Sequence, residues 1–236
     1  MRIGIIGAGS LGTGLTKHLV KNGHSVMLSF SKDAARLRSA ADSLGVEAGT
    51  AAEAAAFGDL VTLATPWSVT AEALKAIGVV QDRKILWDCT NALNPDMSGL
   101  MIGTTTSAGE EVSKLAPWAK VVKAIPPFAE VLHSSSPLIG GARPVVFVCG
   151  DDAGARKLVA SVVEDIGAAP IEAGPLELAR YTEPAAMLLV KLAYAQNFGA
   201  RIGLGFLREI SWRALISRLP ESANCRNPPL LAWASH

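Results

Sequence analysis

Short apolar runs alternate along this chain with longer segments in which apolar residues recur every three or four positions. Arg2 to Ile6 is a β-branched run that predicts a strand. Leu11, Leu15 and Leu19 then fall on one face of a helix reaching Lys21, which Asn22-Gly23 closes because glycine can enter the left-handed region that ends many helices. Ser25 to Ser29 predicts a second strand, and Asp33 to Leu44 a second helix ending at Gly45. Thr50 and Glu53 have the spacing of a capping box, so an alanine-rich helix begins there, followed by a buried strand at Leu60 to Thr65.

The alternation continues with a helix at Ser68 to Ile77 and a strand at Lys84 to Asp88. Ser107 and Glu110 cap a further helix, before a strand at Lys120 to Ile125. Pro144 to Cys149, Asp152 to Ile166 and Pro170 to Glu172 follow as strand, helix and short strand. After Gly174 the strands stop. Pro175 to Asn197 is one long apolar helical stretch in which Pro184 starts or kinks a helix. Strands separated by helices imply a parallel sheet covered on both faces, whose strands need no polar alternation. The expected fold is therefore α/β. A Rossmann-type doubly wound, mostly parallel sheet occupies residues 1–172, and a small helical part with an atypical tail occupies 173–236.

Composition narrows the classes of function. Lys and Arg number 22 against 21 Asp and Glu, a formal charge of +1 that lacks the basic excess a nucleic-acid surface needs. Half of the residues are hydrophobic, yet the run Ala185 to Val190 stops at Lys191, short of the roughly 18 residues of a membrane span. Met1 to Gly14 contains one basic residue and five glycines, a poor signal-peptide core. Three scattered cysteines, Cys89, Cys149 and Cys225, suit a reducing compartment rather than a disulfide framework. The expectation is a soluble cytoplasmic protein with no nucleic-acid or membrane partner.

The chemistry is concentrated at the turn Gly7-Ala8-Gly9-Ser10-Leu11-Gly12, between the first strand and the first helix. In that context the spacing predicts a dinucleotide site. Gly7 allows the tight turn, Gly9 lets the backbone approach a pyrophosphate, and Gly12 lets helix and strand pack closely. The amides of Ser10 and Leu11 would face the phosphates. The second strand ends in Ser29-Phe30-Ser31-Lys32, without the acid that holds the ribose hydroxyls of NAD. Ser31, Lys32 and, one helical turn further, Arg36 suit the 2′-phosphate of NADPH, while Asp33 is either a helix cap or an unusual ribose ligand.

Ligands of open parallel sheets lie beyond the C-terminal strand ends. Three such ends, Thr65-Pro66-Trp67, Thr90-Asn91 and Ile125-Pro126-Pro127-Phe128, could form an apolar slot for the nicotinamide and a flat acceptor. The alternative for each is structural: Trp67 packing into the following helix, Asn91 in a turn, the prolines in a rigid loop. There is no serine-nucleophile motif, metal-ligand cluster or carboxylate pair. His18 and His24 are expected at the surface and His133 in a loop. Direct hydride transfer tolerates this, because there the protein mainly aligns donor and acceptor and excludes water.

With these pieces in order, the chain resembles the NADPH-dependent reductases of coenzyme F420 (F420-dependent NADP oxidoreductases) and their bacterial relatives. The resemblance rests on Met1-Arg-Ile-Gly-Ile-Ile-Gly-Ala-Gly-Ser10, Ser31-Lys32, Ala64-Thr-Pro-Trp67, Asp88-Cys-Thr-Asn91 and Val121-Val-Lys-Ala124. Gly150-Asp-Asp152, Ala173-Gly-Pro-Leu176, Ala179-Arg180 and Glu183-Pro184 extend it to about residue 208. It implies pyrophosphate contacts at Ser10 and Leu11, 2′-phosphate contacts at Ser31 and Lys32, and a nicotinamide bordered by Pro66 and Trp67. It also implies hydride exchange between NADPH and a deazaflavin, and homodimers built partly through the C-terminal helices. Where many members carry a polar pair after the fifth strand, this chain has Pro126-Pro127. Other acceptors compatible with the sequence are a flavin, a quinone or a metal chelate, and a non-enzymatic NADPH-binding redox sensor is a rival of a different class. The β-hydroxyacid dehydrogenases share a similar first turn, but their Lys and Asn one helical turn apart are not matched by Lys191 and Asn197.

Overall fold

The computed structural model describes residues 1–30, 33–78, 80 and 83–209. The chain begins with β1 (Arg2–Ile6), α1 (Ser10–Lys21), β2 (Ser25–Ser29), α2 (Ala34–Leu44), β3 (Glu47–Gly49) and α3 (Ala51–Phe57). It continues through β4 (Leu60–Leu63), α4 (Trp67–Ile77), β5 (Ile85–Asp88), α5 (Ala108–Leu115), β6 (Lys120–Lys123) and α6 (Ala129–His133). The last elements are β7 (Val145–Gly150), α7 (Ala153–Asp165), β8 (Ala169–Gly174) and α8 (Ala179–Val190). The eight strands form one sheet in the order β3-β2-β1-β4-β5-β6-β7-β8. Neighbouring strands run parallel except β6 and β7. This is the expected α/β, mostly parallel, Rossmann-type architecture.

The core divides as the pleat of a doubly covered sheet requires. β1 sends Ile3 and Ile5 into one cluster, with Leu15, Leu19 and Trp87, and sends Ile6 into the other, with Leu63, Leu74 and Leu86. β5 and β6 split in the same way: Trp87 and Val122 face the first cluster, Leu86 and Val121 the second. Because both faces are dry, the strands read in sequence as unbroken apolar runs.

Local chemistry sets most helix ends. Thr50 and Glu53 form a capping box before α3, Ser107 caps α5 and Asp152 caps α7. Asp33 caps α2 by accepting from the amides of Ala35 and Arg36, and Gly45 ends α2 in the left-handed region. Thus Asp33 is a helix cap.

Several features depart from the sequence pattern. The three-residue β3 and the five-residue α6 were not anticipated, being too short for a periodicity to show. The stretch expected as one helix is three pieces: a 3₁₀ turn at Leu176–Leu178, α8, and a π-helical turn at Lys191–Ala195. Pro184 lies inside α8 rather than starting it, leaving the Arg180 carbonyl without its usual intrahelical donor. His18 and His24 are not surface side chains. His18 is buried and donates to Leu132 O at 2.8 Å, and the largely buried His24 ring lies 2.9 Å from Asp165. Polar partners on distant elements draw both rings inward.

Two compact units are distinguished, Met1–Gly205 and Phe206–His236, the second described only to residue 209. The division expected after residue 172 falls within β8. Among the described residues no helix is long and apolar enough to cross a membrane.

Candidate functional site

The strand order reverses between β1 and β4, so a crevice opens beyond their C-terminal ends. Gly7 leaves β1 with φ +126°, and a β-carbon there would lie 2.4 Å from Ala64 O. A β-carbon on Gly12 would lie 1.8 Å from Gly7 O, so this glycine is what allows α1 to sit against the turn. Gly9 is different: a β-carbon there meets nothing within 4 Å. Gly9 caps α1 with no side-chain hydrogen bond, and the first turn carries no acidic residue. The amides of that turn therefore face open space with the positive end of the helix dipole behind them.

α6 holds this turn from the side. The His133 ring nitrogen Nε2 donates to Ser10 O at 2.8 Å, and Lys17 donates to His133 O at 3.2 Å. With the bond from His18 to Leu132 and the longer contact of Thr13 Oγ1 with His133 Nε2 at 3.4 Å, four polar contacts tie α1 to α6. His133 is thus a clamp on the glycine turn, a role that no sequence motif announces.

A cavity of about 460 Å³ runs from Gly9, Ser10 and Leu11 past Thr65 and Pro66 to Asn91, and on to Ile125, Pro126, Pro127 and Phe128. With Thr90, the structure therefore brings together eleven residues from the expected turn and strand ends. Gly7 and Gly12 lie beneath the turn rather than in the cavity wall, and Arg36 is exposed in the first turn of α2. Trp67 opens α4 and packs against the cluster containing Ile6 and Leu63, so it does not line the cavity. Its large apolar ring gains more from that core than from an open crevice. Ser31 and Lys32 lie outside the described residues.

Two walls were not foreseen. Because β7 is antiparallel to β6, its start runs alongside the residues that follow β6, and Pro144 to Phe147 line the cavity. α8 supplies Thr182, Ala186, Leu189 and Val190, a spacing that marks one helical face and was legible in principle. In the same lining, Tyr194 OH donates to Glu130 Oε1 at 3.1 Å, and the Phe128 and Tyr194 rings meet edge to face at 5.8 Å. Burial, then the charge of Glu130, raises the Tyr194 phenol above its ordinary pKa, so it remains a donor at neutral pH.

Below the cavity floor lies a buried charge cluster. Lys123 Nζ is 2.7 Å from Asp88 Oδ2, close but not aligned as a hydrogen bond, and 3.3 Å from Glu183 Oε1. It donates to Thr90 O at 2.7 Å, while the Thr90 amide donates to Asp88 Oδ1 at 2.8 Å. Glu183 accepts from the Ala108 and Gly109 amides at the start of α5. These bonds set the path of Thr90-Asn91 and anchor α8 to the sheet. Asn91 Oδ1 is buried at the cavity with no hydrogen-bond partner among the described residues. Cys89 also lines the cavity, but burial pushes its thiol pKa well up and keeps it from being a thiolate nucleophile. Among the described residues no group of His, Cys, Asp or Glu is arranged to hold a metal ion.

The open space over Gly9 and the orphaned Asn91 oxygen both fit a bound dinucleotide: the first admits a pyrophosphate close to the backbone, the second awaits a donor such as a carboxamide. Comparison with known proteins agrees with this geometry. The family described as "NADP oxidoreductase coenzyme F420-dependent" matches residues 2–92. A crystal structure of a candidate F420-dependent NADP-reductase from Arthrobacter sp. FB24 is 27% identical, covering 87% of this chain and 99% of that one, with a TM-score of 0.77. A hypothetical protein of Sinorhizobium meliloti is 28% identical over 89% of this chain and 96% of its own, with a TM-score of 0.66. A reductive aminase from Aspergillus terreus, in complex with NADPH and ethyl-5-oxohexanoate, is 16% identical and covers 83% of this chain and 62% of that one. Its TM-score is 0.62, a likeness of fold alone.

Proposed function

We propose that the protein, whose residues 2–92 match the F420-dependent NADP oxidoreductase family, exchanges a hydride between NADP(H) and a flat redox acceptor held in the cavity. The observation that carries this is the continuity of that cavity, from the glycine turn across the strand ends to the face of α8. The amides of Ser10 and Leu11 would receive the pyrophosphate. Ser31, Lys32 and Arg36 would receive the 2′-phosphate. Thr65, Pro66 and Asn91 would border the nicotinamide, and Ile125 to Phe128 would form one side of the acceptor slot.

NADPH supplies two electrons and one proton as a hydride, and solvent can supply the second proton an acceptor needs. The chain's own part is positioning. Its apolar walls exclude water, and the Asn91 oxygen orients a ring through its carboxamide. Coenzyme F420, a flavin and a quinone are the acceptor chemistries that suit such a slot. Two buried free cysteines, Cys89 and Cys149, accord with a reducing cytoplasmic setting. We further propose a homodimer. Tyr181 and Leu188 of α8, seven residues apart, are exposed together with Phe198, an apolar face that a second copy would cover.

The test follows the absorbance of reduced nicotinamide with the purified protein and F420, FMN or a quinone, alongside direct NADPH titration. Turnover with at least one acceptor is expected. Tight NADPH binding with no turnover on any of them would replace the oxidoreductase with a redox sensor.

A further inference from the structure

The buried cluster of Asp88, Lys123 and Glu183 sets two carboxylates against one ammonium. None of the three side chains is more than 1% exposed. Their contacts hold both acids ionised. Asp88 faces the Thr90 amide and the Lys123 ammonium, while Glu183 faces the Ala108 and Gly109 amides and the same ammonium. Every one of these neighbours is a donor, so a carboxyl proton would find nothing to bond. Burial works against the charge on Lys123, but Asp88 and Glu183 outweigh it and raise its pKa. The cations closest in the fold are paired elsewhere, Arg156 with Glu172 and Arg180 with Glu110. The start of α5 offsets part of the excess through its dipole, yet no second side-chain cation joins the cluster among the described residues.

This excess lies against the cavity. Lys123 donates to Thr90 O at 2.7 Å, and Thr90 lines the cavity beside Asn91, whose buried oxygen has no partner. We propose that the Asp88, Lys123 and Glu183 cluster is an electrostatic element of the dinucleotide site, whose net negative charge favours the cationic, oxidised nicotinamide over the neutral, reduced ring. This rests on the nicotinamide lying against Thr65, Pro66 and Asn91, and adds what the protein does to the charge of the ring. Hydride donation breaks one C–H bond of the reduced ring, the electron pair leaves with the hydrogen for the acceptor, and a neutral dihydropyridine becomes a pyridinium cation. A buried negative charge nearby lowers the energy of that product, because little water intervenes to screen it. None of the three residues lines the cavity, so they act across Thr90 rather than by contact.

The experiment measures the affinities of NADP⁺, NADPH and 2′-phospho-ADP-ribose, which keeps the phosphates and lacks the ring, by calorimetry on the full chain. Asp88→Asn and Glu183→Gln each cancel the excess and should raise the ratio of the NADP⁺ Kd to the NADPH Kd by roughly threefold to tenfold. Asp88→Asn combined with Lys123→Met restores one negative charge and should bring the ratio back to within about twofold of the wild type. Replacing the ion pair as a pair is also milder than stranding one charge. Adding Glu183→Gln to that pair removes the excess again and should raise the ratio once more, so the test survives if a single variant does not fold. Affinity for 2′-phospho-ADP-ribose should stay within about twofold throughout, since the phosphates do not change. A ratio that is unmoved or lowered when the excess is cancelled, or that departs further in the charge-restoring pair, would overturn the inference and leave the dinucleotide site in place. Equal losses for all three ligands would reduce the cluster to scaffolding. Wild-type protein that binds neither NADP⁺ nor NADPH would overturn the proposed function as well.

Discussion

Lys123 and Asp88 are registered opposite one another at the ends of β6 and β5, with Nζ and Oδ2 2.7 Å apart and neither side chain exposed. Burial by itself lowers the pKa of the ammonium, but Asp88 and Glu183 outweigh it and leave the value above that of an ordinary lysine. A raised pKa means that the stabilisation is present below about 10.5 and is lost only as pH rises through the higher folded value. The cluster is therefore intact across the neutral range, and it holds together β5, β6, α5 and α8.

Removing its cation strands two buried carboxylates. Lys123→Met should cost about 3–5 kcal/mol of unfolding free energy, measured by urea titration. A cost of roughly 1 kcal/mol or less would mean that the carboxylates find other partners or take up protons at little expense.

The glycines of the turn should separate folding from binding. Gly12→Ala places a β-carbon 1.8 Å from a backbone oxygen and should sharply lower the melting temperature. Gly9→Val has free space in the protein and should fold normally, yet it should weaken NADPH by about tenfold or more because the side chain fills the place of the pyrophosphate. Normal NADPH affinity in Gly9→Val would move the phosphates away from this turn.

Cofactor choice is expected to depend on Lys32. Lys32→Glu should weaken NADPH by roughly a hundredfold or more, since it replaces attraction for the 2′-phosphate with repulsion, and should change NADH far less. Equal losses for the two dinucleotides would place the 2′-phosphate elsewhere.

His18 makes stability depend on mild acid. Burial first, and the charges of Lys17, Lys21 and His133 after it, lower its pKa below 6.5, against the opposing pull of its bond to Leu132. A depressed folded value means that its contribution is complete above 6.5 and is lost as pH falls through the lower value. The melting temperature should decline as pH falls below 6.5, and His18→Gln, which cannot titrate, should flatten that slope. A wild-type profile with the same slope as the variant would remove His18 as the cause.

Local order determined what the sequence could show. Strand runs such as Ile3 to Ile6, the Thr50 and Glu53 capping box, the Gly45 helix end and the spacing of Gly7, Gly9 and Gly12 each depend on residues a few positions apart. They were enough for an α/β fold and for a glycine turn between β1 and α1. What only the tertiary structure decided depends on residues far apart in the chain. The antiparallel pairing of β7 brought Pro144 to Phe147 to the cavity, α6 placed His133 on Ser10 and Glu130 against Tyr194, and the competing core drew Trp67 away. Periodicity encodes which face of an element is buried, but not which distant element buries it or which charges meet there, because those follow from packing the whole sheet at once.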